Sequence, residues 1–159
     1  MNAKDLIKKL QLKPHPEGGH YAETYRSEKL ILSDEDDSRN VCTAIYFLLE
    51  DKEKSHFHRI KSDELWFFHH GVSLEIVMIM DDKIASFTLG NDIMHGELPQ
   101  AMVPANTWFA SKLKGGSGYA LVSCTVSPGF DFKDFEIAKR EELVLKYGHL
   151  KNVIIEFTN

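Results

Sequence analysis

His56 and His58, one residue apart and followed by Glu64, are the residues of this chain best suited to chemistry. In a strand, side chains at i and i+2 share a face, so both imidazoles are expected to project into one space. Residues 59–63 are long enough to turn the chain and return Glu64 on a neighbouring strand facing the same space. Two imidazoles and one carboxylate with coordination positions left over make the facial triad suited to non-haem iron and related divalent metals. Fe, Mn, Ni or Zn is therefore the cofactor to expect if His56, His58 and Glu64 ligate. Without metal, the imidazoles can act as acid and base near neutral pH. The blander alternative is a set of hydrogen-bonded polar residues.

Glu64 has two further roles open to it, a carboxylate base or an ion-pair partner of Arg59 or Arg26. Trp66 shares its parity and can wall a ligand pocket or simply fill the core. Arg26 shares a strand face with Thr24; turned inward, its guanidinium is a fork for a ligand carboxylate or phosphate, and turned outward it is a salt-bridge residue. Gln100 and Trp108 lie on candidate pocket strands, and Tyr25 and Tyr46 are candidate phenolic acids. His15, His20, His95 and His149 read as loop or surface residues. Glu17, between two prolines and two glycines, reads as part of a structural loop over a pocket mouth.

The elements that must position these groups are mostly short strands. Asn2 can cap a helix with Leu6, Ile7 and Leu10 on one face, ended by Pro14 and Pro16. His20–Ser27 reads as a strand, and the acidic stretch Ser33–Ser38 as a solvated loop. β-rich segments then run over Val41–Leu49, Ser55–Ile60, Glu64–His69, Ser73–Met80, Lys83–Leu89, Gln100–Val103, Asn106–Ser111 and Tyr119–Val126. Asp81-Asp82, Gly90-Asn91, Pro104-Ala105 and Gly115–Gly118 punctuate them. Many short strands without intervening helices predict an all-β sandwich or barrel. Strands apolar on both faces, such as Cys42–Leu49, need an outer cover: a helix, an arm or a second subunit. Phe135, Ile137, Ala138, Leu143, Val144 and Tyr147 suit a C-terminal helix ended by Gly148, and Val153–Phe157 a last strand. The 159 residues read as a single domain, 1–159.

Composition narrows the function classes. A formal charge of −5 with scattered basic residues disfavours phosphate tracking along nucleic acid. No apolar run approaches membrane-spanning length, and the polar start lacks a signal-peptide core, so a cytoplasmic location is the default. Cys42 and Cys124 sit in apolar strand-like stretches and read as buried small hydrophobes. No Walker loop, dinucleotide fingerprint or Gly-x-Ser-x-Gly is present.

His56-Phe57-His58, Glu64 and Gly71 resemble the first motif of the cupin superfamily, with five residues rather than the common three or four between the second His and the Glu. A closer resemblance, to the fifth cupin family, a domain of unknown function, spans nearly the whole chain. It is carried by Pro14–Gly19, Thr24–Ser27, Ile45–Leu49, His58-Arg59, Ser62–Trp66, Val103–Trp108 and Cys124–Phe132. This resemblance implies a cupin-type double-stranded β-helix, a jelly-roll barrel with a short N-terminal helix and a C-terminal helix, usually dimeric. It is related in shape to dTDP-keto-sugar epimerases, phosphomannose isomerases and seed storage proteins. In the second cupin motif Asn106 stands for the usual Gly and Phe109 for the usual fourth ligand, His. The expected function is binding of a small polar metabolite, sugar-derived, with isomerisation or epimerisation by His58 and Glu64 and ligand contacts from Arg26, Gln100, Trp66 and Trp108. The alternatives are a three-ligand metal enzyme and a non-enzymatic ligand-binding homodimer.

Overall fold

The computed structural model describes residues 2–32 and 37–159; residues 33–36, most of the acidic stretch, lie outside them. Helix α1 (Ala3–Lys9) begins where the Asn2 side chain accepts the Asp5 N–H at 2.9 Å. Thirteen strands follow among the described residues. They are β1 (Lys13–Pro14), β2 (His20–Arg26), β3 (Leu30–Leu32), β4 (Ser38–Asn40), β5 (Thr43–Glu50), β6 (Lys54–Arg59), β7 (Asp63–Gly71), β8 (Leu74–Met80), β9 (Lys83–Leu89), β10 (Gln100–Val103), β11 (Trp108–Leu113), β12 (Tyr119–Ser127) and β13 (Glu136–Ile137). Helices α2 (Arg140–Lys146) and α3 (Lys151–Glu156) close the chain.

The strands form one sheet in the order β1-β2-β5-β12-β7-β10 and a second in the order β13-β6-β11-β8-β9, with β3 and β4 paired separately. Alternation sends Phe47, Leu49, Trp66 and Val122 of the first sheet inward against Leu74, Ile76, Met78 and Phe109 of the second. The outer faces are covered by the chain's own helices. Leu6 of α1 packs with Leu48 and Leu121, while Leu143 of α2 and Ile154 of α3 cover Phe57, Val77, Ile79 and Trp108. The doubly apolar strands therefore need no second subunit to cover them.

Two C-terminal expectations change. Residues 135–139 are not helical: Glu136 and Ile137 pair with Arg59 and His58 of β6, which turns Phe135 toward the interior. The expected strand at Val153–Phe157 is helix α3 instead. Leu150, Val153, Ile154 and Phe157 recur at helical spacing, and that stripe is what packs on the second sheet. Among the described residues no helix is long and apolar enough to cross a membrane.

Ile154 is fully buried on the outer side of the second sheet. Ile154→Ala should lower unfolding free energy by about 2–5 kcal/mol, read by urea denaturation, without altering the interior on the opposite face of that sheet.

Candidate functional site

The site is assembled by a strap, Pro14–Gly19, laid against β6. The Glu17 carbonyl accepts the His56 backbone N–H at 2.8 Å and lies 2.9 Å from His56 Nδ1. Gly18 has φ +110°, and a Cβ there would sit 2.0 Å from the Lys54 carbonyl oxygen, so only glycine lets the strap approach this closely. The result is that Glu17, buried, reaches over His58: its Oε2 is 2.8 Å from His58 Nε2. On the other side of the ring, His58 Nδ1 is 2.7 Å from the His56 carbonyl, which can only accept. Nδ1 therefore carries a proton, and a further proton lies between Nε2 and Glu17. His15 supports the strap by accepting the Glu17 N–H at Nδ1, 3.2 Å away.

Glu17 and His58 open on a cavity of about 460 Å³, whose wall also includes Glu64, Cys124, Arg26 and the rings of His15, Tyr21, Phe130, Phe132 and Phe135. Burial pushes the Glu17 carboxyl up, but the charge and hydrogen bond of His58 outweigh it and leave Glu17 below the usual carboxylate value. Burial likewise pushes His58 down, and the Glu17 charge and hydrogen bond, with the His56 carbonyl, leave it raised. Both shifts favour the carboxylate–imidazolium form of the pair. Glu64 is pushed up to about 7 by burial, opposed by the His58 charge and aided by that of Glu17. The Cys124 thiol beside it is driven well above its ordinary value by burial and by both carboxylates, so it stays neutral. The Trp66 indole N–H lies close enough to favour ionised Glu64, yet completes no hydrogen bond of normal geometry.

The residues singled out from the sequence are dispersed. His58, Glu64 and Arg26 line the cavity. His56 does not; it fastens the strap. Arg26 sits at the rim and is already engaged, with Nε and Nη2 on Glu23 at 2.9 and 2.7 Å and Nη1 on Asn40 Oδ1 and the Phe130 carbonyl. A bulge at Thr24 breaks the alternation of β2, so Arg26 shares the cavity wall with Glu23 and not with Thr24. Trp66 is buried in the core between the sheets, Gln100 is exposed on the edge strand β10, and Trp108 faces the terminal helices with the Arg59 guanidinium 4.4 Å from its ring. None of these three lines the cavity. Tyr21, not Tyr25 or Tyr46, supplies the phenol. His15 lies in a loop, as one of its two readings had it, but half-buried in the cavity wall, and Glu17, read as structural, is a site residue. Its only sequence signal is a carboxylate locked between prolines and glycines.

A divalent ion does not suit this donor set. Both His58 nitrogens have partners, the His56 ring lies against the Glu17 carbonyl outside the cavity, and the usual fourth ligand is Phe109, whose ring packs 4.1 Å from that of His58. Among the described residues no group of three or more His, Cys, Asp or Glu is arranged to hold a metal. Asn106, standing where the common motif has Gly, has φ +60°, in the left-handed region that Gly and Asn adopt most readily.

Glu64 supplies a sign-defined test. Its folded pKa of about 7 lies above the ordinary 4.5, so the fold binds the extra proton between those values. The native state consequently loses stability as pH rises from about 4.5 to 7. That interval corresponds to about 3 kcal/mol. Glu64→Gln should remove the slope: relative to the natural protein, its melting temperature should gain from pH 5 to pH 8, followed by thermal denaturation in matched buffers.

The family model described as Cupin superfamily (DUF985) matches residues 4–138. The chain is 32% identical to "Uncharacterized protein YML079W" of Saccharomyces cerevisiae over 151 residues, covering 86% of this chain and 75% of that one. Its structure is similar to that of protein SO0799 from Shewanella oneidensis (42% identity, TM-score 0.92, covering 100% and 98% of the two chains). It is also similar to a hypothetical protein from Leishmania major (37% identity, TM-score 0.94, 99% of each chain). A remote likeness to oxalate decarboxylase from Bacillus subtilis, at 14% identity and TM-score 0.56 over 91% of this chain and 36% of that one, shows the fold alone. With the family model spanning most of its length and the jelly-roll sheets in place, the chain belongs to the cupin superfamily, in the family of unknown function DUF985.

Proposed function

We propose that this cupin binds a small polar metabolite and moves a proton on it, as an isomerase or epimerase of a sugar-derived carbonyl compound. The observation that carries the reading is the meeting of the buried Glu17–His58 ion pair with Glu64, poised at about 7, on one cavity of about 460 Å³. A near-neutral carboxyl can donate or accept at working pH, and a charged pair beside it supplies the complementary partner. The volume suits a metabolite of modest size, and the rings of Tyr21, Phe130 and Phe132 offer flat apolar faces to a sugar ring. The metal-dependent alternative, with Fe, Mn, Ni or Zn on His56, His58 and Glu64, finds less support, because His56 would have to leave the Glu17 carbonyl and His58 the Glu17 carboxylate.

The homodimer is part of this proposal. Leu30 and Leu32 on β3 are 61% and 77% exposed and provide an apolar surface. Sedimentation at micromolar concentration should show a species of twice the 18.2 kDa chain, and a chain-sized species alone would contradict it.

The activity is tested by incubating the protein in D₂O with ketoses, ketose phosphates, keto-sugar nucleotides and keto acids, following loss of carbon-bound proton signals by ¹H NMR. Exchange by the natural protein, reduced by about 100-fold or more in Glu64→Gln, is the expected result. Binding detected as a raised melting temperature without any exchange would leave a ligand-binding protein in place of an enzyme.

A further inference from the structure

We infer that Glu17 is the residue that exchanges a proton with the bound molecule, that His58 is its positioning residue, and that the substrate is an α-hydroxy carbonyl compound. This rests on the proton-transfer reading above and distributes its roles. Both ring nitrogens of His58 are engaged, Nδ1 with the His56 carbonyl at 2.7 Å and Nε2 with Glu17 Oε2 at 2.8 Å. The rings of Phe109 and Phe135 pack beside it, with centroids 4.1 and 5.5 Å away. No nitrogen of His58 is left to meet a ligand.

The carboxylate across the contact is different. Besides His58, its neighbours are the buried Ser55 hydroxyl, which favours its ionised form, and His15 Nδ1, 3.6 Å from Oε2. Glu17 lines the cavity, and its carboxylate keeps lone pairs beyond those turned to His58. Glu64, with the Trp66 indole and the Cys124 thiol beside it, lines the same cavity. Two carboxyl groups, one paired with the His58 imidazole and one able to be neutral, line the cavity; the histidine lines it too, but with both nitrogens taken.

This arrangement balances an enediol isomerisation. The Glu17 carboxylate takes the proton from the carbon bearing the hydroxyl, the C–H pair becomes the new C=C bond, and the carbonyl π pair moves to oxygen. That oxygen takes the proton of neutral Glu64. Glu64, now ionised, accepts the proton of the neighbouring hydroxyl as Glu17 returns its proton to the former carbonyl carbon. Both carboxyls end as they began, and no oxidant or reductant is consumed.

The test compares Glu17→Gln, Glu17→Asp and His58→Gln in the deuterium-exchange assay with dihydroxyacetone, fructose and their phosphates across pH. Glu17→Gln keeps a hydrogen bond to a neutral His58 through its amide, so the fold is retained, and exchange should fall about 100-fold or more at every pH. Glu17→Asp, which keeps the carboxylate, should recover part of it. His58→Gln should still exchange, with the rising limb of the pH profile moved upward because Glu17 has lost the cation that holds it ionised. Loss of exchange at all pH in His58→Gln with near-normal Glu17→Gln would overturn the inference, as would activity in the natural protein confined to keto acids that lack the hydroxyl. No exchange by the natural protein on any compound would defeat the proton-transfer reading itself. Carbethoxylation mapped by mass spectrometry then judges the placement of His58. Labelling far slower than at exposed His95 supports a ring closed on both nitrogens, and labelling as fast as His95 contradicts it.

Discussion

The contact between Glu17 and His58 is the constraint on which the interior of this protein depends. A carboxyl and an imidazole have been taken out of water together, and each is tolerable there in its charged form only because the other is within hydrogen-bond distance. Removing one partner of such a pair typically costs about 3–5 kcal/mol, since the other is left buried and uncompensated. The strap that carries Glu17 must therefore lie against β6, which explains the glycine at 18 and the two bonds from His56 to the Glu17 carbonyl. A strand residue that looks like a ligand thus acts as a fastening, and a loop residue that looks structural becomes part of the site.

The wall facing this pair is held with comparable care. Phe130, Phe132 and Phe135 pack edge to face with centroid separations of 4.9 to 6.2 Å, which fixes them as one aromatic surface. Their segment is tied down from several directions. Arg39 grips Asp134 with two bonds of 2.7 and 2.8 Å, the Gly129 N–H reaches the Asn40 carbonyl, and the Phe130 N–H reaches Thr43 Oγ1. Arg26 adds a bond to the Phe130 carbonyl while bound to Glu23. The cations at this rim thus shape the cavity, which leaves the carboxyls and rings to meet a ligand.

Much of the fold could be read from the sequence, because the strands are punctuated by turns and their inner faces alternate. Glu64 and Trp66 share an inward face as their parity requires. Elsewhere local alternation was overridden. The bulge at Thr24 moved Arg26 to the opposite phase, and the pairing of Glu136–Ile137 with β6 drew Phe135 out of a helix. Strand order hid the rest of the site. Gln100 and Trp108 lie on strands that flank the cavity's own, yet one is at an edge and the other faces the helices, a distinction periodicity does not carry. Glu17 was illegible for a different reason: its partner is 41 residues away, and nothing local marks a carboxylate as the counter-ion of a distant imidazole.

The protonation state of His58 tests this account most directly. ¹⁵N NMR of the histidine rings at pH 7, with His58 assigned by its loss in a His58→Gln sample, reports both nitrogens at once. Two protonated nitrogens, an imidazolium held between the His56 carbonyl and the Glu17 carboxylate, are the predicted result. A neutral ring with an unprotonated Nε2 would mean that Glu17 carries the proton, and the charged pair at the centre of this account would not exist.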